Sequence, residues 1–245
     1  MGLPLFDAAS VGAIDAGSSG SHSHTCSTAP NRILLVGFCL RGGAAQRTVS
    51  GVTYNTVALT KLSDELFGDL FGDVELWYLI NPASGANTLA YTLSGSCDAS
   101  IGAVSYTNAI QVSPFGTPVE AEGAAGGDAG PATVNVGGVA AQLVVDVVAT
   151  QANITITVGA NQTQRVNNKQ STGTVRTVGM SEESGSGTIT MSWTLSGDAR
   201  WGIIAVVLKS PGGGFWFFFP TAIFAALHFF VGQLTSFFTR RLRTA

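Results

Sequence analysis

Charge is scarce in this chain: 12 Lys and Arg and 15 Asp and Glu among 245 residues, a net charge of -3. So weak a basic component leaves no electrostatic footprint for nucleic acid and excludes it as a partner. Cysteine is scarcer still, and three residues cannot build a dense disulfide framework. Cys39 lies in an apolar strand pattern and reads as a buried thiol, which leaves Cys26 and Cys97, at turn-like edges, as the candidate pair. Histidine occurs three times, as His22, His24 and His228, always outside the two expected halves of the β body. The chain has no Gly-x-Ser-x-Gly elbow, no Walker loop and no dinucleotide fingerprint. Asp73 with Glu75, and Glu182 with Glu183, are the nearest approach to an acid/base pair; such close carboxylates in turns are ordinarily solvated, and glycosidase pairs need fixed separations. Residues 1–30 show neither a basic start nor an apolar run, so no signal peptide is expected. These gaps predict a protein that is not an enzyme and holds no cofactor.

What the chain does have is glycine, 31 residues, and 45% hydrophobic residues, ample surface to bury and an argument against disorder. Two stretches are nearly the same. Tyr91-Thr92-Leu93-Ser94-Gly95 and Trp193-Thr194-Leu195-Ser196-Gly197 each lead through a short polar turn into an apolar run with a Gly near its start, at Gly102 and Gly202. Ile33–Leu40 and Gln142–Ala149 are a second echo, with Leu34 and Leu143 109 positions apart against 102 for Leu93 and Leu195. Alternation over Ile154–Val158 and Ile189–Leu195, and solid apolar runs at 33–40 and 201–208, are strand signatures. Asn55-Thr56 reads as a tight turn. The expected fold is all-β: a jelly-roll β-sandwich of two similar Greek-key halves, plus one C-terminal transmembrane-type α-helix. Its parts run as a flexible segment 1–20, a sandwich 21–210 with halves at 31–112 and 132–210, and a Gly-rich crossover at 123–130. A Pro/Gly hinge 211–214, a hydrophobic helix 215–239 and a basic tail 240–245 follow.

Two sets of residues are candidate metal ligands. His22, His24 and Cys26 alternate, so an extended strand would turn all three to one side, as zinc or copper requires; no fourth ligand is evident, and a first strand with a mixed polar face is the alternative. Asp64, Asp69 and Asp73 could offer oxygens to calcium, though not at EF-hand spacing; a solvated connection with Phe67 and Phe71 beneath it is the alternative.

Several stretches carry a family likeness: Ser23-His24-Thr25-Cys26 followed by Asn31-Arg32-Ile33-Leu34-Leu35-Val36-Gly37, Val74-Glu75-Leu76-Trp77-Tyr78-Leu79, Gly102-Ala103-Val104-Ser105-Tyr106, and Trp201 through Lys209. Over about 20–210 the chain resembles a widespread, mostly uncharacterised jelly-roll β-sandwich module of exported bacterial proteins and phage structural proteins. The resemblance implies a fold and an exported setting, and no catalytic residues.

Nine of the fourteen Phe fall between Phe215 and Phe238, in 24 residues without a formal charge. That is long enough to cross a hydrocarbon core of about 30 Å. Phe215, Trp216, Phe219, Phe224, Phe230 and Phe238 would face lipid, and Arg240, Arg241 and Arg243 would stay in the cytoplasm. The function these observations predict is a surface-displayed structural or adhesion β-sandwich, membrane-anchored by its C-terminus, with the β domain outside the cell or on a virion. A phage virion structural or decoration protein and a carbohydrate-binding, lectin-like module are the alternatives. The membrane is the expected partner; a homo-oligomer and a glycan or protein surface are left open.

Overall fold

The computed structural model describes residues 2–42, 45–68, 72–123, 130–152, 154–170 and 177–211. Among them are thirteen strands: β1 (Leu5–Cys26), β2 (Ile33–Arg41), β3 (Val49–Tyr54), β4 (Val57–Ala58), β5 (Thr60–Phe67), β6 (Gly72–Ile80), β7 (Gly85–Thr107), β8 (Val119–Glu122), β9 (Ala132–Thr150), β10 (Ile156–Val158), β11 (Thr163–Lys169), β12 (Thr177–Leu195) and β13 (Trp201–Leu208). They pair into a seven-stranded sheet from the first half of the sequence and a six-stranded sheet from the second. β3 and β4 meet at Asn55-Thr56, both at positive φ, as the tight turn requires.

Each sheet folds over on itself. The first half of β7 alternates buried and exposed residues, whereas its second half is buried on both faces. β9 divides the same way and β12 in the reverse order. Leu89, Tyr91 and Leu93 from one end of β7 share a cluster with Ala99, Ile101 and Ala103 from the other, together with β2 and β3. A long strand whose one face lines a single interior along its whole length must bend around that interior. The irregularity opposite Gly17, where Ala16 takes φ 47°, eases the bend in β1. The result is a rolled lobe with an outer layer (17–26 of β1, 85–93 of β7, β3, β4) and an inner layer (5–14 of β1, 98–107 of β7, β2, β6, β5).

The second half repeats this plan with its breaks elsewhere. Its inner layer runs β8, β13, the end of β9, the start of β12, β11; its outer layer is the start of β9, the end of β12, and β10. The two inner layers face each other across a third cluster fed by both halves, including Leu35, Leu76, Val104, Val147, Met180 and Ile204. Paired glycines let the layers close up: a Cβ on Gly37 would lie 2.5 Å from Val147 Cγ2, and one on Gly102 2.8 Å from Val166 Cγ1.

This corrects the expected fold. One jelly roll made from two Greek-key halves would place strands of both halves in each sheet; here each half closes its own roll, and both belong to the compact unit Met1–Gly212. The chain is β-sandwich-like and all-β among the described residues. The C-terminal transmembrane helix is not supported. No described helix is long and apolar enough to cross a membrane, and Phe215, Trp216, Phe219, Phe224, Phe230, Phe238, Arg240, Arg241 and Arg243 lie outside the described residues.

Three local expectations also change. Residues 5–20, expected to be a flexible lead, are the first part of β1, because a Gly/Ser/Ala backbone can pair with β7 as well as any other. The polar stretch after Gly95 does not turn the chain back; it continues through β7, whereas its counterpart separates β12 from β13. The 109-residue offset also puts opposite faces in register: Leu34 faces its own lobe and Leu143 the shared core. Pairing sets Gly37 beside Gly102 and Ala149 beside Gly202, which matches Gly37 with Ala149. Most of the Gly-rich crossover, 124–129, is outside the described residues.

Candidate functional site

The first candidate lies where the two legs of β1 face each other along the seam of the first lobe. His22 and His24 point inward, as their alternation predicts. Between them stands Ser10 from the other leg, its Oγ 2.8 Å from His24 Nδ1 and 3.1 Å from His22 Nε2. Burial pushes the His24 imidazole down to about 4 and lowers His22 as well. Asp7 lies near His24, but its Oδ2 accepts from Ser27 N–H at 3.0 Å and Ser105 Oγ–H at 2.8 Å. The serine is flanked by two imidazoles, neither of them oriented by a carboxylate hydrogen bond, so a nucleophile–base–orienter chain is not assembled. Cys26, further along β1, neighbours Tyr54 and Ser105. No group of three or more His, Cys, Asp or Glu among the described residues is arranged to hold a metal.

Cys26, Cys39 and Cys97 are all buried. Of the candidate pair, Cys26 stands opposite Gly85 and Cys97 opposite Gly17 in the β1–β7 ladder, and both side chains join the interior of the first lobe. Cys39 is the buried thiol its apolar strand predicts, with Sγ–H directed at Thr150 O, 3.4 Å away.

The acidic stretch is also taken apart by strand geometry. Asp64 is exposed on β5 and Asp73 is fully buried on β6, so the expected connection is a β5–β6 hairpin; Asp69 lies outside the described residues. Asp73 and Glu75 point into the first lobe together. Glu75 accepts from Val49 N–H and Trp77 Nε1–H, both at 2.7 Å, and pairs with Lys61 Nζ at 3.0 Å. Neither oxygen of Asp73 meets a donor, and burial beside the Glu75 charge pushes its pKa up to about 9. One neutral acid beside one carboxylate is the protonation pattern of an acid/base pair. Yet both are shut inside the lobe, and neither cavity described below touches them.

Sequence reading passed over the counterpart in the second lobe. Asp146 is fully buried and accepts from Ser181 N–H at 2.7 Å, Ser181 Oγ–H at 2.8 Å and Trp193 Nε1–H at 2.8 Å. Burial still raises it to about 6. A lone Asp within an otherwise apolar run, Leu143–Ala149, was the available signal. Glu182 bonds Arg165, whose guanidinium stacks over Phe6 with 4.0 Å to the ring centroid; Glu183 stands on β12, not in a turn.

Two open features lie among the described residues. A shallow trough of about 420 Å³ crosses the outer face of the first lobe, where Ser19, Ser21, Thr53 and Thr92 stand in rows beside Gly51 and Ala90. A groove of about 430 Å³ runs beside the start of β9 in the second lobe, lined by Val119, Val136, Val139 and Val207, with Lys209 among its polar residues. Trp77, Trp193 and Trp201 are all buried and offer no ring to a ligand. No protein-family model, curated protein or solved structure matches the chain.

Proposed function

We propose that this chain is a non-enzymatic structural protein, displayed on a cell or virion surface, that acts by assembly or adhesion. The observation that carries the reading is the pair of rolls locked back to back, with both outer faces made of uncharged, short side chains. In the first lobe these are Ser19, Ser21, Ser23, Thr88 and Thr92; in the second, Thr133, Asn135, Thr190 and Thr194. A rigid body with flat, neutral faces suits packing in an array, and the buried Glu75 and Asp146 are occupied in holding their own lobes. A lectin-like role would need a platform for sugar rings, and the three described tryptophans are spent inside. Cross-linking and negative-stain microscopy of the full chain test the reading: defined oligomers or arrays are expected. A monodisperse monomer that binds glycans on an array would replace it with the lectin reading.

A further inference from the structure

A strand at the rim of a sheet leaves a row of backbone N–H and C=O groups unpaired, and rims ordinarily carry charge or stay short to prevent pairing with another chain. Most rims of this molecule do. β5 carries Lys61, Asp64 and Glu65, β8 carries Glu120 and Glu122, and β11 carries Arg165 and Lys169. β4 and β10 are two and three residues long. The outer leg of β1 lacks charge but follows Asp15, and its seam is already filled by Ser10, His22 and His24.

The start of β9 is different. Over 132–139 it pairs, among the described residues, with β12 on one side only, and it reads Ala-Thr-Val-Asn-Val-Gly-Gly-Val, with no charge and no proline. On its other side β8 approaches and packs Val119 and Ala121 against the same interior without a strand ladder to β9, and the valine-lined groove lies along that side. The segment is also self-complementary about Asn135. In an antiparallel pairing of two copies, Asn135 meets Asn135, Val134 meets Val136, and Thr133 meets Gly137. Val134 and Val136 are buried and Asn135 is exposed, so apolar residues stay on the inner face and polar ones on the outer. No like charges meet at the two-fold axis.

We propose that two copies of this chain join through the 132–139 edges, antiparallel about Asn135, merging their outer sheets into one; this deepens the structural reading above and rests on it. An isologous contact of this kind closes on itself and makes a dimer. The test uses the full chain. Asn135→Cys should form a covalent dimer on mild oxidation, since the three native thiols are buried, whereas Thr190→Cys, one strand in from the rim, should not. Asn135→Lys sets two cations face to face and should weaken self-association about ten-fold in sedimentation, with an unchanged melting temperature. Amides of 132–139 should exchange more slowly at high concentration than on dilution. Equal cross-linking of both cysteine variants, none for Asn135→Cys, or a dimer indifferent to Asn135→Lys would overturn the proposal. Oligomers that persist through any of those results would leave the structural reading standing on another surface.

Discussion

The two lobes share a strand plan but handle buried polarity differently. In the first, Glu75 has a cation, Lys61, beside its indole and backbone donors, and a protonated neighbour in Asp73. In the second, Asp146 has only dipoles: one backbone N–H, one hydroxyl and one indole N–H within 2.8 Å. The aromatic that opens the repeated motif shows the same contrast. Trp193 donates to Asp146, whereas Tyr91, its counterpart, has a buried hydroxyl with no partner beside His22. Two lobes of one strand plan thus satisfy their buried polar groups with different chemistry.

Breaking the ion pair should have the largest effect. Glu75→Ala strands Trp77 Nε1–H and Val49 N–H in a dry interior, takes the partner from half-buried Lys61, and should cost about 4 kcal/mol by chemical denaturation. A loss under 1 kcal/mol would mean that the pair is solvated.

Single substitutions should separate the pH responses of His24 and Asp146 from that of Asp73, whose raised pKa also costs stability as pH rises. His24 has a folded pKa below its unfolded value, so the folded state binds fewer protons than the unfolded one between about 4 and 6.5, and its contribution is lost as acid is added through that window. Asp146 has a folded pKa above its unfolded value, so its folded form holds the extra proton between 3.8 and about 6, and stability falls as pH rises through that range. Each group contributes about 3 kcal/mol of opposite slope. Comparing stability–pH curves of the parent with His24→Asn and Asp146→Asn checks this: the first should flatten the acid-side loss, the second the loss toward neutrality. Curves parallel to the parent's would contradict both assignments.

The contact between lobes offers a smaller, sharper test. Gly37→Ala pushes a methyl onto Val147 Cγ2, and Gly37 and Val147 sit on opposite lobes. It should cost about 2 kcal/mol by overpacking. The same change at Gly137, where a Cβ meets nothing within 4 Å, should be nearly silent.

Much of the architecture was legible because strands announce themselves locally. The alternation at Ile189–Leu195 and the solid apolar run at Ile33–Leu40 became one-sided and two-sided strands as their patterns require. The repeat, too, was visible in Tyr91–Gly95 and Trp193–Gly197. Less legible were the places where one copy bends and the other turns, because Gly95–Ser100 and Gly197–Arg200 have similar composition and only the partner strands decide between them. The candidate sites fared worst. His22, His24 and Cys26 do alternate on one strand, but what stands opposite them is Ser10, set there by the fold of β1 and invisible to spacing.

Composition and periodicity alone settled that this chain makes β-strands, that it repeats itself, and that its faces are nearly free of charge, since each of these is a property of neighbours in sequence. Only packing in three dimensions decided that each repeat closes its own roll, that Asp146 and Glu75 end up dry, and that 132–139 ladders with a single described strand. Those outcomes depend on which distant strand arrives alongside, and hydrogen-bond pairing between strands carries no local signature of its partner.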